Sequence, residues 1–284
     1  MILLFILNIL LSQTDSLLVK SGEAGDFTNA VSMTSDGKGM IYVLDSDANE
    51  IVKLDGSLKI EKRAGRKGWS NGEFDSPTSI DGSSGLDIYV SDGRNYRLQR
   101  FDLNLGYVGT ILTEYETYPE NLKFKTPLSS VYVNPYIYII DGENNRVVAY
   151  QSLYQNTAVP VFSFGGFQSA QKPLVNPTKI IKDGYNNIYI LDRKQNAVFK
   201  YDNFGNYISI IESQTVYSIA VYNNLLYILD GNKLLVYEAK RGGFTESILF
   251  AEKIESEKIK DILVLNSGKF YILEKNKISE YSLK

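Results

Sequence analysis

The sequence predicts an all-β protein assembled from six similar units, and three observations lead there. First, one short pattern recurs: I-Y-V-L-D at 41–45, I-Y-V-S-D at 88–92, I-Y-I-I-D at 137–141, I-Y-I-L-D at 188–192, L-Y-I-L-D at 226–230 and F-Y-I-L-E at 270–274. Its tyrosines are Tyr42, Tyr89, Tyr138, Tyr189, Tyr227 and Tyr271, successively 47, 49, 51, 38 and 44 residues apart. That period belongs to propellers and solenoids. Second, the apolar runs are short and bounded by Gly, Asp and Asn, the signature of hairpins. Third, 21 Tyr and 13 Phe against 3 Met favour strands over helices. A single repeat cannot bury its own apolar face, so the 284 residues make one unit. Four strands per repeat is the blade of a propeller. The expected fold is therefore a six-bladed β-propeller of four-stranded antiparallel blades.

Taken in chain order, residues 2–11 come first, Ile-Leu-Leu-Phe-Ile-Leu-Asn-Ile-Leu-Leu. The run is long enough for the core of an export signal and too short to cross a bilayer. No Lys or Arg precedes it, so the match to such a signal is incomplete. Residues 1–12 are read as a signal peptide and residues 13–284 as the propeller. The protein is expected to be exported, to the periplasm or beyond the cell, with no membrane span once the signal is removed.

Within each repeat a first strand, such as Ala30–Thr34, leads through a polar turn to the I-Y-V-L-D strand. A third strand follows at Ile51–Leu54, Leu98–Phe101, Val147–Tyr150, Ala197–Tyr201, Leu234–Tyr237 and Ile278–Tyr281. A fourth follows in most repeats, for example Tyr107–Leu112, Val161–Phe164 and Tyr207–Ile211. The last repeat stops after its third strand at Lys284, whereas Leu17–Lys20 precedes the first repeat and belongs to none. Leu17–Lys20 is therefore expected to complete the last blade, pairing the two chain ends and hiding open edges.

Two stretches carry a family resemblance. Phe74-Asp75-Ser76-Pro77-Thr78-Ser79-Ile80 leads to Asp87–Asp92, and Pro177-Thr178-Lys179-Ile180 leads to Asn187–Asp192. With the Asp-x-x-Asn-Asn-Arg-Val run at Asp141–Val147, these resemble the NHL-repeat family of six-bladed β-propellers, over about residues 17–284. The last two repeats depart from that pattern, with shorter turns and Glu274 in place of the aspartate. The resemblance implies that the turns after the second strand share one face with the links between blades. Three of those links are long, Ala64–Ser76, Thr113–Thr126 and Gly165–Asn176. Long loops on a rigid scaffold are where binding concentrates.

Composition narrows the chemistry. Without cysteine there is no disulfide or thiolate metal site. Without histidine there is no imidazole base and no Ser-His-Asp triad. A metal site would need oxygen ligands alone, and no cofactor is expected. A net charge of −3 speaks against nucleic acid.

Three sets of residues are candidates for function. Arg66, Lys67 and Trp69, in a loop whose cations also count Arg63, form with Tyr115, Tyr118 and Phe167 an aromatic, partly basic rim for a peptide, glycan or anionic ligand. The apolar residues of Phe74-x-x-Pro77, Phe124-x-x-Pro127 and Leu174-x-x-Pro177 are read as packing between blades instead. The aspartates ending the second strands, Asp45, Asp92, Asp141, Asp192 and Asp230, are read as turn residues accepting from backbone N–H groups two residues on. Ser32, Ser79, Ser129, Lys179, Ser218 and Asp261 line the central channel, where Lys179 and Asp261 are placed to pair directly or through water, as either a polar ligand site or a solvated pair of small energetic weight.

The leading expectation is an exported, non-catalytic binding scaffold for a protein, peptide or glycan, acting as a monomer or as a subunit of an envelope assembly. The alternative follows the resemblance, whose six-bladed relatives include calcium-dependent lactonases and esterases. Against it, the inner ring offers one acid, Asp261, to a cation that takes six to eight oxygens.

Overall fold

The computed structural model describes residues 16–112, 118–152, 158–169, 172–265 and 268–284. Its first strand is β1 (Ser16–Gly25), followed by β2 (Ala30–Ser35), β3 (Ile41–Asp45), β4 (Glu50–Leu54) and β5 (Ile60–Ala64). The second unit is β6 (Pro77–Asp81), β7 (Asp87–Asp92), β8 (Arg97–Asp102) and β9 (Tyr107–Leu112). The third is β10 (Pro127–Val133), β11 (Tyr136–Asp141), β12 (Arg146–Ser152) and β13 (Ala158–Phe164). The fourth is β14 (Pro177–Lys182), β15 (Ile188–Asp192), β16 (Ala197–Tyr201) and β17 (Tyr207–Glu212). Then come β18 (Val216–Tyr222), β19 (Leu225–Asp230), β20 (Lys233–Glu238) and β21 (Gly243–Phe250). The chain ends in β22 (Ile259–Val264), β23 (Lys269–Glu274) and β24 (Lys277–Leu283).

The result is an all-β propeller. The first four units each form a separate four-stranded sheet with strands in chain order. The remaining strands, where two further separate sheets were expected, are hydrogen-bonded into one eight-stranded sheet of order β18-β19-β20-β21-β1-β24-β23-β22. The cause is β1. It pairs antiparallel with β24 from Leu18 opposite Leu283 to Gly25 opposite Lys277. Its first residues also lie parallel to β21, Ser16 to Leu18 opposite Ile248 to Phe250. The strand is longer than the expected Leu17–Lys20, with a register shift between Lys20 and Gly22. Leu18 is fully buried, and its carbonyl accepts from Ala251 N at 2.9 Å. An otherwise open sheet edge is thereby covered on both sides.

Apolar side chains from neighbouring sheets mesh into successive clusters. One joins Tyr42 and Leu44 of β3 to Ile80, Ile88 and Val90 of the next sheet. The repeated tyrosines are the pegs of this arrangement. Tyr42 is buried and its hydroxyl donates to Leu103 O of the next unit at 2.9 Å. Tyr138 donates likewise to Asn203 O. Burial pushes both phenols above their ordinary range, so they remain protonated donors. Phe74 and Phe124 are fully buried, against Phe101 and Tyr150 with ring centroids 5.7 and 5.6 Å apart. Leu174 is buried in a cluster that joins β10, β11 and β12 residues to those of β14, β15 and β16. All three therefore pack between blades, as their periodicity implied.

Candidate functional site

The strands β2, β6, β10, β14, β18 and β22 contact one another in a closed ring, each touching its two neighbours. Each supplies one side chain to the axis: Ser32, Ser79, Ser129, Lys179, Ser218 and Asp261 all line one cavity of about 210 Å³. Asp261 is the hub and is only 2% exposed. Its Oδ1 accepts from Lys179 Nζ, from Ser218 Oγ at 2.9 Å and from Ile262 N at 2.9 Å. Its Oδ2 accepts from Met33 N at 3.0 Å and Ser32 Oγ at 3.4 Å. Serines continue the pattern around the ring. Ser32 Oγ accepts from Ile80 N and Ser129 Oγ from Ile180 N, each at 3.3 Å, while Ser79 and Ser129 hydroxyls meet at 3.1 Å.

Lys179 and Asp261 are thus a direct pair, and the reading of a solvated pair is corrected. The carboxylate lies in a channel narrow enough for strands on either side to saturate it. Such a group is not a free acid or base. It ties the last unit to the first, fifth and fourth.

Beyond the ring, on the side of the β2–β3 and β14–β15 turns, a wider cavity of about 870 Å³ opens. The carboxylates on its wall are committed to turns. Asp36 accepts from Lys38 N and Met40 N, and Asp183 from Tyr185 N and Asn187 N. Asp81 accepts from Ser83 N and Tyr132 N, and burial pushes its carboxyl up. Among the described residues no group of three or more Asp or Glu side chains is placed to hold a metal ion.

The second candidate is the link from β5 to β6. Gly65 begins it with φ +113°, and a Cβ there would lie 2.7 Å from the Phe74 ring and from Asn49 O. Only glycine suits that position. The link is then fastened from beneath. Buried Arg97 donates to Trp69 O, Ser70 O and Glu73 O at 2.7, 3.0 and 2.8 Å. Its Nε also pairs with buried Asp92 at 2.9 Å. Asn95 holds Gly68 O, and Gln99 holds Glu73 O. On this base Trp69 stands 66% exposed.

The other residues expected beside Trp69 are distributed as follows. Arg66 is exposed and pairs with Glu73 at 2.7 Å. The Ser70 N–H and Arg66 together hold the Glu73 carboxyl below its usual range. Lys67 is exposed and in no ion pair among the described residues. Arg63 belongs to β5, pairing with Glu50 and Asp26, and is not a loop cation. Tyr118 is half-buried, and Tyr115 lies outside the described residues. Exposed Arg94 and Tyr96, from the β7–β8 turn, are additional rim groups.

The aspartates at the ends of β3, β7, β11 and β15 do cap backbone, though not as expected. Asp45 accepts from Thr28 N and Asn29 N, and Asp192 from Val175 N and Asn176 N, in the segments entering each first strand. Their local partners, Ala48 N and Gln195 N, are three residues on, not two. The carboxylates clamp two loops at once.

Sequence reasoning missed Arg97, and a signal was there. Asp92-Gly-Arg-Asn-Tyr-Arg97 and Asp141-Gly-Glu-Asn-Asn-Arg146 share one spacing. In both, the asparagine amide reaches the aspartate and the arginine holds carbonyls of the incoming link. Arg193 and Lys260 were missed too. Both line the 210 Å³ cavity, but they stand outside the repeating ring position.

Fold and site together define a β-propeller with a polar, plugged axis and a fastened, tryptophan-bearing loop. No protein-family model and no curated protein matches the sequence. Solved structures do match by shape. A streptogramin B lyase structure is 13% identical, with a TM-score of 0.63, covering 95% of this chain and 98% of its own. Virginiamycin B lyase from Staphylococcus aureus is 13% identical at a TM-score of 0.62, covering 93% and 99%. A structural genomics protein of unknown function from Bacteroides thetaiotaomicron VPI-5482 is 12% identical at 0.60, covering 93% and 73%. At these identities the likeness is one of fold.

Proposed function

We propose that this chain is an exported, non-catalytic binding propeller that presents the Trp69 face to a protein, peptide or glycan partner. The observation that carries the reading is the Arg97 anchor. A buried cation, itself paired with a buried carboxylate, holds three carbonyls of a surface loop whose tip exposes the chain's one tryptophan. Ordering a large exposed aromatic beforehand lowers the entropic cost of binding. The neighbouring Lys67 and Arg94 favour a partner that carries acidic groups.

In this reading the eight-stranded sheet comprises two blades, β18 to β21 and β22 to β24 with β1, giving six blades of the NHL type. Residues 1–12 direct export, and residues 13–284 form the domain. No helix among the described residues is long and apolar enough to span a membrane.

The lyase likeness suggests an enzyme instead. A catalytically inactive variant of virginiamycin B lyase, in a structure with quinupristin, carries alanine for histidine. This chain has no histidine with which to perform that residue's part. A calcium-dependent hydrolase is disfavoured by the saturation of Asp261.

The test is a peptide and glycan array probed with wild type and Trp69→Ala. Saturable capture that the substitution weakens about tenfold or more supports the reading. Chemical conversion of a captured ligand would overturn it.

A further inference from the structure

The 210 Å³ cavity opens on the face of the β15–β16 turn, between Thr78, Thr178 and Tyr217. Lys179, Arg193 and Lys260 line it, against one carboxylate, Asp261. Asp261 already holds Lys179, so two positive charges stand unneutralised. Arg193 makes one side-chain hydrogen bond, to Tyr217 O at 2.6 Å. Among the described residues neither Arg193 nor Lys260 forms an ion pair, although the chain as a whole carries a charge of −3. Burial pushes the Arg193 guanidinium down from its ordinary range, with Asp261 only partly offsetting it. Arg193 as a whole is exposed, so this shielding is partial and the cation remains open to an incoming negative charge. The hydroxyls of the serine ring lie at the floor of the same cavity. The opposite cavity differs, because Lys38, Lys182 and Lys269 line it together with Asp36, Asp81 and Asp183, while Lys179, which reaches it too, is held by Asp261 and Lys269 pairs with Glu280.

We propose that the narrow mouth of the channel binds a small oxyanion, a phosphate or carboxylate group, between Arg193 and Lys260 above the serine ring. The planar fork of Arg193 supplies two parallel donors suited to either group. Lys260 supplies a mobile point charge at the rim. Lys179 remains with Asp261 and shapes the floor. The cavity volume admits one such group with its water and excludes a polymer chain, so this site is separate from the Trp69 loop.

Isothermal titration calorimetry of inorganic phosphate and of malonate, at low ionic strength and neutral pH, tests the proposal. Wild type is compared with Arg193→Gln, Lys260→Gln, the double variant and Trp69→Ala. Both altered residues are exposed, so melting temperatures should match wild type. The expected result is saturable binding that sodium chloride weakens. Each single substitution should weaken it about tenfold or more, the loss of one charge-assisted hydrogen bond, while Trp69→Ala leaves it unchanged. The tighter of the two anions identifies the ligand's headgroup. Absence of saturable heat with both anions, or wild-type binding in the double variant, would overturn the proposal. Neither result bears on Trp69.

Discussion

Asp261 and Lys179 meet at the axis but do not contribute equally. Without Lys179 the carboxylate keeps Met33 N, Ile262 N and the Ser32 and Ser218 hydroxyls. Without Asp261 those donors and a largely buried ammonium lose their shared acceptor. Breaking a buried pair costs about 3–5 kcal/mol when the remaining partner is stranded. Asp261→Ala should therefore cost about that much in urea unfolding, and Lys179→Met clearly less. Equal losses would mean that the pair, not the carboxylate hub, carries the stability. Glu280 offers a second residue-level test. Burial pushes its carboxyl up, but hydrogen bonds from Lys269, Ser21 and Tyr271 outweigh burial and hold it below its ordinary range. A carboxyl depressed in the folded state contributes stability above its unfolded value, about pH 4.3, and loses it as pH falls through the folded one. Glu280→Gln should accordingly flatten the fall in stability below about pH 4.3, and an unchanged slope would remove Glu280 from the account.

At the scale of elements, β1 and the β5–β6 link carry the argument. Burial of Leu18 alone is worth about 2 kcal/mol, and β1 also covers the edges of β21 and β24. Removing residues 1–20 should lower the melting temperature by at least ~5 °C, whereas removing residues 1–12 should leave it unchanged. Equal melting of the two truncations would contradict closure by β1. In the link, Arg97→Ala removes the ionic partner of Asp92, which keeps Asp75 N, Asn95 and Gln99 as donors, and frees the Trp69 and Ser70 carbonyls, while Gln99 still holds Glu73 O. Hydrogen exchange should then quicken across residues 65–75 more than elsewhere, at a global cost of about 1–3 kcal/mol. These elements differ in how well the sequence reveals them. The second and third strands of each unit are legible because their apolar runs end at turn residues, and so are the fourth strands β9, β13 and β17. β5, whose Glu61, Lys62 and Arg63 are exposed, gives no such signal. The parallel contact of β1 with β21 is equally hidden, since register between distant segments leaves no periodicity.

For the molecule as a whole, the repeat made the ring of axial residues readable from the positions of six tyrosines. It could not reveal the channel's width, which decides whether Asp261 is solvated or saturated. Nor could it reveal Arg193 and Lys260: each sits at a repeated position, after a second-strand aspartate and before an axial residue, but no other such aspartate is followed by a charge and no other axial residue is preceded by one, and the two reach the mouth only once the ring closes. Trp69 was conspicuous as a single residue, whereas its anchor, Arg97, required the link and the β7–β8 turn to be seen together. The central claim is that a rigid propeller presents Trp69 for binding without chemistry. Because Trp69 is the one tryptophan of the chain, its fluorescence reports on that surface alone. The most direct measurement is its emission and iodide quenching during titration with the peptides and glycans captured on the array. The account predicts exposed-indole emission in the free protein, then a saturable blue shift and protection from iodide, with the ligand recovered unchanged. Saturable binding that leaves Trp69 as open to iodide as before, or a ligand recovered chemically altered, would contradict it.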